Sequence, residues 1–232
     1  MQKFNALAGA ALLVMSTAAA SATITINWNS PPFNPGGVDV GTIHFPVNQT
    51  TNADAGRFEG TATAWSGIDP NTFYASTTDF FAYCFDLAQT LQSGAVYTVV
   101  PGAPTAALDW LGAVNAYFGG NSFRWLAPAN STEATAIQLG LWEALHGDDF
   151  ALTTGAVRFG AVTPTIATLF NDIAALRGST SDLSSQFVMV LHSDTRQDVI
   201  TGVRPTLRVP EPTSAALLGL AAAAAALIRR RR

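Results

Sequence analysis

The sequence predicts an α+β domain: a mostly antiparallel β sandwich or barrel carrying a helical insertion of about three helices. Three observations predict it. Residues 23 to 100 hold short apolar or alternating runs broken by Pro and Gly. Residues 105 to 177 change to helical spacing with cap signals, and residues 186 to 207 return to strand character. Strands, helices and strands again within 232 residues fit one domain with appendages at its ends.

Taken in order, residues 23–29 (Thr-Ile-Thr-Ile-Asn-Trp-Asn) alternate polar and apolar as a half-buried strand does. Pro31, Pro32, Pro35, Gly36 and Gly37 predict a loop. Residues 38–47 and 57–65 read as further strands, the second alternating Phe58, Gly60, Ala62 and Ala64. Residues 80–87 form an aromatic-rich buried strand containing Cys84, and residues 95–100 continue the sheet until Pro101-Gly102. A helix over 105–117 ends at Gly119-Gly120. A second runs from Asn130 to His146, opened by Asn130 with Glu133 as a capping-box-like pair and stopped by Gly147. A third spans 164–177, with Thr163 or Thr165 near its cap, Pro164 in its first turn and Gly178 beyond its end. Strands at 186–191 and 199–207 complete the sheet, and no internal repeat is visible.

The two ends carry addresses. Met1-Gln2-Lys3, the apolar run Ala6 to Ala20 and the small residues Ala20-Ser21-Ala22 have the three parts of a secretory signal peptide, cut after Ala22. At the other end, Val209-Pro210-Glu211-Pro212-Thr213 precedes an apolar run from Ser214 to Ile228, closed by Arg229 to Arg232. Fifteen helical residues reach about 22 Å, against a hydrocarbon core of about 30 Å. The four terminal arginines place that short span with its tail inside and the body outside. This tripartite ending resembles the PEP-CTERM sorting signal of Gram-negative bacteria, with Pro210, Glu211 and Pro212 as its motif. The resemblance implies transient anchoring of the 214–228 helix in the inner membrane, processing by an exosortase, and delivery to the cell surface or to extracellular polymer.

The body, residues 23–208, contains no lysine; the single Lys of the chain is Lys3. Seven arginines face fifteen acids there. Such an acidic surface excludes nucleic-acid binding, which needs clustered cations. A reactive acyl group on this body would also find no lysine amine of its own to acylate.

Two residues stand out for chemistry. Cys84 is the only cysteine, so it has no intramolecular disulfide partner. Gln138 lies at the centre of an apolar helical stripe: at about 100° per residue, Ala134, Leu141, Trp142 and Leu145 fall within about 60° of it. Burying an amide without a partner costs roughly 1–3 kcal/mol, so Gln138 calls for a hydrogen bond or a covalent one.

Tyr83-Cys84-Phe85-Asp86 and Gln138-Leu139-Gly140-Leu141-Trp142 resemble the thioester domains of bacterial surface proteins, the TQxA type, with the 107–117 segment as the family's intervening helix. The chain departs from that pattern at Ile137, where Thr is usual, and at Gly140, where Ala or a larger apolar residue is usual. The resemblance implies a Cys84–Gln138 cross-link, shielded from water by apolar neighbours such as Tyr83, Phe85, Trp142, Phe80 and Phe81. It further implies covalent capture of an amine or hydroxyl on a surface protein or polysaccharide. Such an event turns over once, so it is not enzymatic, and it needs no cofactor.

Other readings stay open from the residues alone. Cys84 can be a small buried hydrophobe, with Gln138 bonded to backbone, in a non-catalytic surface, matrix or glycan-binding module. A cysteine hydrolase would pair Cys84 with His146 or His192. His44, His146 and His192 lack metal-ligand spacing, Asp148-Asp149 reads as a solvated turn, and Asp194 and Asp198 flank Arg196 without a calcium-loop pattern. Trp110, Tyr117, Phe118, Phe123 and Trp125 gather in the helical insertion, as core or as a sugar-contacting platform.

Overall fold

The computed structural model describes residues 21–45, 49–119, 121–147 and 149–204. The expected signal peptide, the motif Pro210-Glu211-Pro212 and the 214–228 span therefore lie outside the described residues, apart from Ser21 and Ala22. Among the described residues no helix is long and apolar enough to cross a membrane.

Among the described residues nine strands and three α-helices follow one another: β1 (Thr23–Phe33), β2 (Val38–Phe45), β3 (Gln49–Ala55), β4 (Phe58–Ser66), β5 (Phe80–Cys84), β6 (Ala95–Pro101), α1 (Thr105–Tyr117), α2 (Ser131–His146), β7 (Arg158–Phe159), α3 (Pro164–Ala174), β8 (Val188–His192) and β9 (Val199–Gly202). Six strands close into an antiparallel barrel in the order β1-β4-β5-β9-β8-β6. The second sheet is β3-β2-β7. The predicted α+β class with a helical insertion holds, and the sheet that β8 and β9 complete is a barrel. Closure leaves no unpaired edge along the ring where the strands overlap.

Three local expectations need correction. The Pro-rich segment is not all loop, because β1 continues through Pro31 and Pro32 to pair Phe33 with Phe58. The register shifts between Trp28 and Phe33, and such an irregular stretch tolerates residues without an N–H. β5 stops at Cys84 rather than residue 87. The third helix ends at Ala174, with the chain turning on to Gly178, whose φ of +66° suits glycine.

Two strands escaped the pattern altogether. β3 reads Gln-Thr-Thr-Asn-Ala-Asp-Ala, too polar to show an apolar face, and β7 is two residues long.

Helix α2 positions the site. Asn130 caps it, its Oδ1 accepting the Glu133 N–H at 3.0 Å. The Glu133 carboxylate turns outward instead of closing the box: it accepts the Ala129 N–H and the Arg124 guanidinium, each at 2.8 Å. From Ala134 to Glu143 every residue is buried. Gln138 thus belongs to a helix enclosed on all sides, packed on β2, β3 and β5 and on α1 and α3. Thr135 Oγ1 donates to the Ala55 carbonyl at 2.9 Å, fixing the helix to the end of β3.

Gly140, where the sequence departs from the thioester pattern, has a packing reason. Trp110 of α1 lies across α2 with its indole N–H on the Ile137 carbonyl at 3.0 Å. A Cβ on residue 140 would come within 2.0 Å of that indole. Trp110 and Gly140 therefore define the close approach of α1 to α2. Gly140→Ala is expected to destabilise the protein by roughly 1–3 kcal/mol, as overpacking does, read as a lower urea midpoint at unchanged slope. A shift under about 0.5 kcal/mol, ordinary for surface substitutions, would mean that Trp110 is free to move aside.

Candidate functional site

Cys84 ends β5 at a place where its two neighbouring strands differ. β9 runs alongside, with Tyr83 opposite Ile200 and Cys84 opposite Val199. β4 pairs only as far as Phe58, opposite Ala82. Along an antiparallel strand the backbone groups of successive residues point to opposite sides. The Phe85 N–H donates to the Asp198 carbonyl, at 2.8 Å, on the β9 side. The N–H and C=O of Cys84 therefore face the side where β4 has left off.

Gln138 fills that gap. Its Oε1 accepts the Cys84 N–H at 2.8 Å, and its Nε2 donates to the Cys84 carbonyl at 2.9 Å. The carboxamide acts as one peptide unit of a missing strand. Cys84 is 1% exposed and Gln138 fully buried. Without the amide, two buried backbone groups would lack partners, at about 1–3 kcal/mol each.

The sulfur has its own partners. The thiol donates to the Asp86 carbonyl at 2.6 Å, and the Trp142 indole N–H donates to Sγ at 3.2 Å. Burial pushes the Cys84 thiol well above its ordinary pKa; the Trp142 hydrogen bond opposes the shift, and the Asp86 carboxylate adds to it. Cys84 is thus a neutral thiol in the resting site. Of the residues expected to shield it, Trp142 touches the sulfur and stacks on Phe159, while Phe85 is half-buried beside it. Tyr83 packs on Trp125, Phe80 on Trp28 and Phe73, and Phe81 lies under the Arg57 guanidinium, 3.7 Å from its ring centre.

Neither candidate histidine meets the thiol. His146 Nε2 lies 3.2 Å from the Phe85 carbonyl. His192 sits on the surface, with Nδ1 2.8 Å from Asp198 and Nε2 3.2 Å from Asp194. Its hydrogen bond to Asp198 and the charges of both acids raise its pKa. Those same contacts account for Asp194 and Asp198, and no cluster of metal-ligating side chains occurs among the described residues. Asp149 accepts the Ala151 N–H and the Thr154 hydroxyl, as a turn residue does.

Asp86 has a role that the sequence did not assign. One carboxylate oxygen accepts the Ala88 and Gln89 N–H groups at 3.1 Å, and the other accepts the Asp198 N–H at 2.7 Å. Its carbonyl accepts the Gln197 amide as well as the thiol. Asp86 thereby ties the segment after Cys84 to the start of β9. An Asp two residues past a strand, before two free N–H groups, is the available signal.

Chemically, the arrangement holds a carboxamide on the main chain of the residue that bears the thiol, and the carboxamide oxygen already has an N–H donor at 2.8 Å. That donor is positioned as an oxyanion hole requires. The comparisons with known proteins add nothing to this geometry: no family model, no curated protein and no solved structure matches the chain.

Two outcomes follow. In a Cys84→Ala background, where no covalent link is available, Gln138→Leu is expected to cost about 2–5 kcal/mol from two orphaned backbone groups. Urea unfolding measures it, and a cost under about 1 kcal/mol would show that the amide does not hold the strand end. His192, with its raised folded pKa, contributes stability that is fully present below its unfolded pKa and lost as pH rises through the folded value. The stability gap between wild type and His192→Gln should therefore shrink from mildly acidic to alkaline pH, and a gap that widens would contradict the pairing.

Proposed function

We propose that the protein is an exported surface or matrix module whose Cys84 and Gln138 form an internal thioester, used once to fasten it to a nucleophile on another surface. What carries this reading is the Gln138 carboxamide, anchored at both ends on the residue that bears the thiol, in a buried site. The Cys84 sulfur attacks the Gln138 carbonyl carbon, the S–C bond forms and the C–N bond breaks. The thiol proton leaves with the nitrogen as ammonia. The Cys84 N–H steadies the oxygen as charge develops, and Trp142 steadies the sulfur. An amine or hydroxyl of a surface protein or polysaccharide later takes the acyl group, its proton passing to sulfur, and the Cys84 thiol is restored.

Delivery rests on the tripartite C-terminal segment 209–232, read as an exosortase-processed PEP-CTERM signal following export through the inner membrane.

A second reading draws on the same two hydrogen bonds. Gln138 is already satisfied by the Cys84 backbone, so the amide has a sufficient structural role in a non-catalytic surface, matrix or glycan-binding module. Mass separates the two. A thioester lowers the intact mass by about 17 Da, the mass of the ammonia expelled when the thiol acylates, and blocks alkylation of unfolded Cys84; methylamine then restores the free thiol. An undiminished mass with an alkylatable Cys84 would sink the thioester and leave the structural amide.

A further inference from the structure

The expected aromatic platform in the helical insertion divides in two. Trp110 and Trp125 are wholly buried, while Tyr117 is 40% exposed. Tyr117 and Phe118 stand at the C-terminal end of α1, at the mouth of a groove of about 660 Å³ between α1, the first turn of α2 and one side of α3. That volume lies within the range of ligand sites.

The aromatic corner is braced. Tyr117 and Phe118 meet edge to face at 5.1 Å and 90°. The Arg124 guanidinium covers Phe118 at 4.3 Å and is itself paired with Glu133 at 2.8 Å. On the facing side the Tyr117 hydroxyl lies 3.5 Å from Asp172. A tyrosine held in this way presents its ring with little rotamer entropy left to lose.

The opposite walls set hydroxyls among apolar side chains: Thr132 from α2, and Thr165 and Thr168 beside Pro164 and Leu169 from α3. No cation lines the groove, and the one nearby, Arg124, is spent on Glu133 and on the Ala127 carbonyl. Asp172 adds a negative charge. Anions are thereby disfavoured, and apolar chains would strand the hydroxyls and the carboxylate. A ligand with both an apolar C–H face and many hydroxyls fits both kinds of wall.

We propose that this groove binds a neutral polysaccharide, with Tyr117 as the ring on which a sugar face rests and Thr132, Thr165, Thr168 and Asp172 as hydrogen-bonding partners. The proposal does not rest on the Cys84–Gln138 reaction. If both operate, the groove supplies reversible residence on a polymer and the thioester supplies permanence.

The test uses the full chain in native gels cast with dextran, soluble mannan, galactan or chito-oligosaccharide, and with dextran sulfate as the anionic counterpart of dextran. Retardation by at least one neutral polymer is expected, and dextran sulfate should retard no more than dextran. Tyr117→Ala should weaken it by about tenfold or more, as loss of an anchoring aromatic does, and Thr168→Trp should abolish it by filling the groove. Cys84→Ala should leave it unchanged, so that failure of the thioester and failure of the groove read out separately. No retardation by any neutral polymer would overturn the proposal. So would retardation that survives both groove substitutions, or preference for dextran sulfate.

Discussion

The paired hydrogen bonds between the Gln138 side chain and the Cys84 main chain hold sheet and helix in register. β4 leaves β5 after Phe58, so the last residue of β5 needs a partner from elsewhere. Only a side-chain amide offers a donor and an acceptor with the spacing of a peptide group. Supplying it from α2 requires that helix to pass directly beside the barrel wall. Other contacts follow from this placement: Thr135 meets the end of β3, Trp142 reaches the sulfur, and Trp110 closes over Gly140 from the far side. The proposed thioester and the amide that completes the sheet draw on the same two residues, both buried and both fixed by hydrogen bonds.

Much of this was legible in the residues. Asn130, Gly147 and, of the two threonines considered, Thr163 marked helix ends through cap chemistry, which acts within a turn and so is visible locally. An isolated cysteine and an amide within an apolar run flagged the site, because burial of either raises a question of partners. Barrel closure was not legible. It depends on β9 entering between β5 and β8, a pairing across more than a hundred residues for β5 that no local pattern encodes. β3 was invisible because its inward face, Thr51, Ala53 and Ala55, carries only small side chains. The wheel also misjudged α2: it forecast one apolar stripe centred on Gln138, whereas neighbours on every side bury Ala136 and Glu143 on the opposite face as well. Composition alone cannot distinguish a helix lying on a core from one lying within it.

Arg57 illustrates the same limit. Counted among surface charges from the sequence, it is buried between the Asn34 and Leu126 carbonyls and over the Phe81 ring, where desolvation lowers its pKa. Two carbonyls and an aromatic face satisfy a planar guanidinium well. It joins the start of the barrel to the 3₁₀ turn before α2, so the aromatic-rich segment between α1 and α2 is pinned to the sheet.

The route by which tension would cross the domain is short. The chain leaves β9 at Gly202, and Arg204 grips the Tyr74 and Ala75 carbonyls just beyond it. β9 is the immediate neighbour of β5, so under the proposed attachment a pull between the C-terminal end and a cargo fastened at Gln138 would cross from β5 to β9 through the Tyr83–Ile200 rung and the Phe85 N–H bond to the Asp198 carbonyl. Most of the barrel, and all of α1 and α3, would stand outside the stressed path. Mechanical strength would then be decided by a handful of adjacent backbone bonds rather than by the stability of the whole fold.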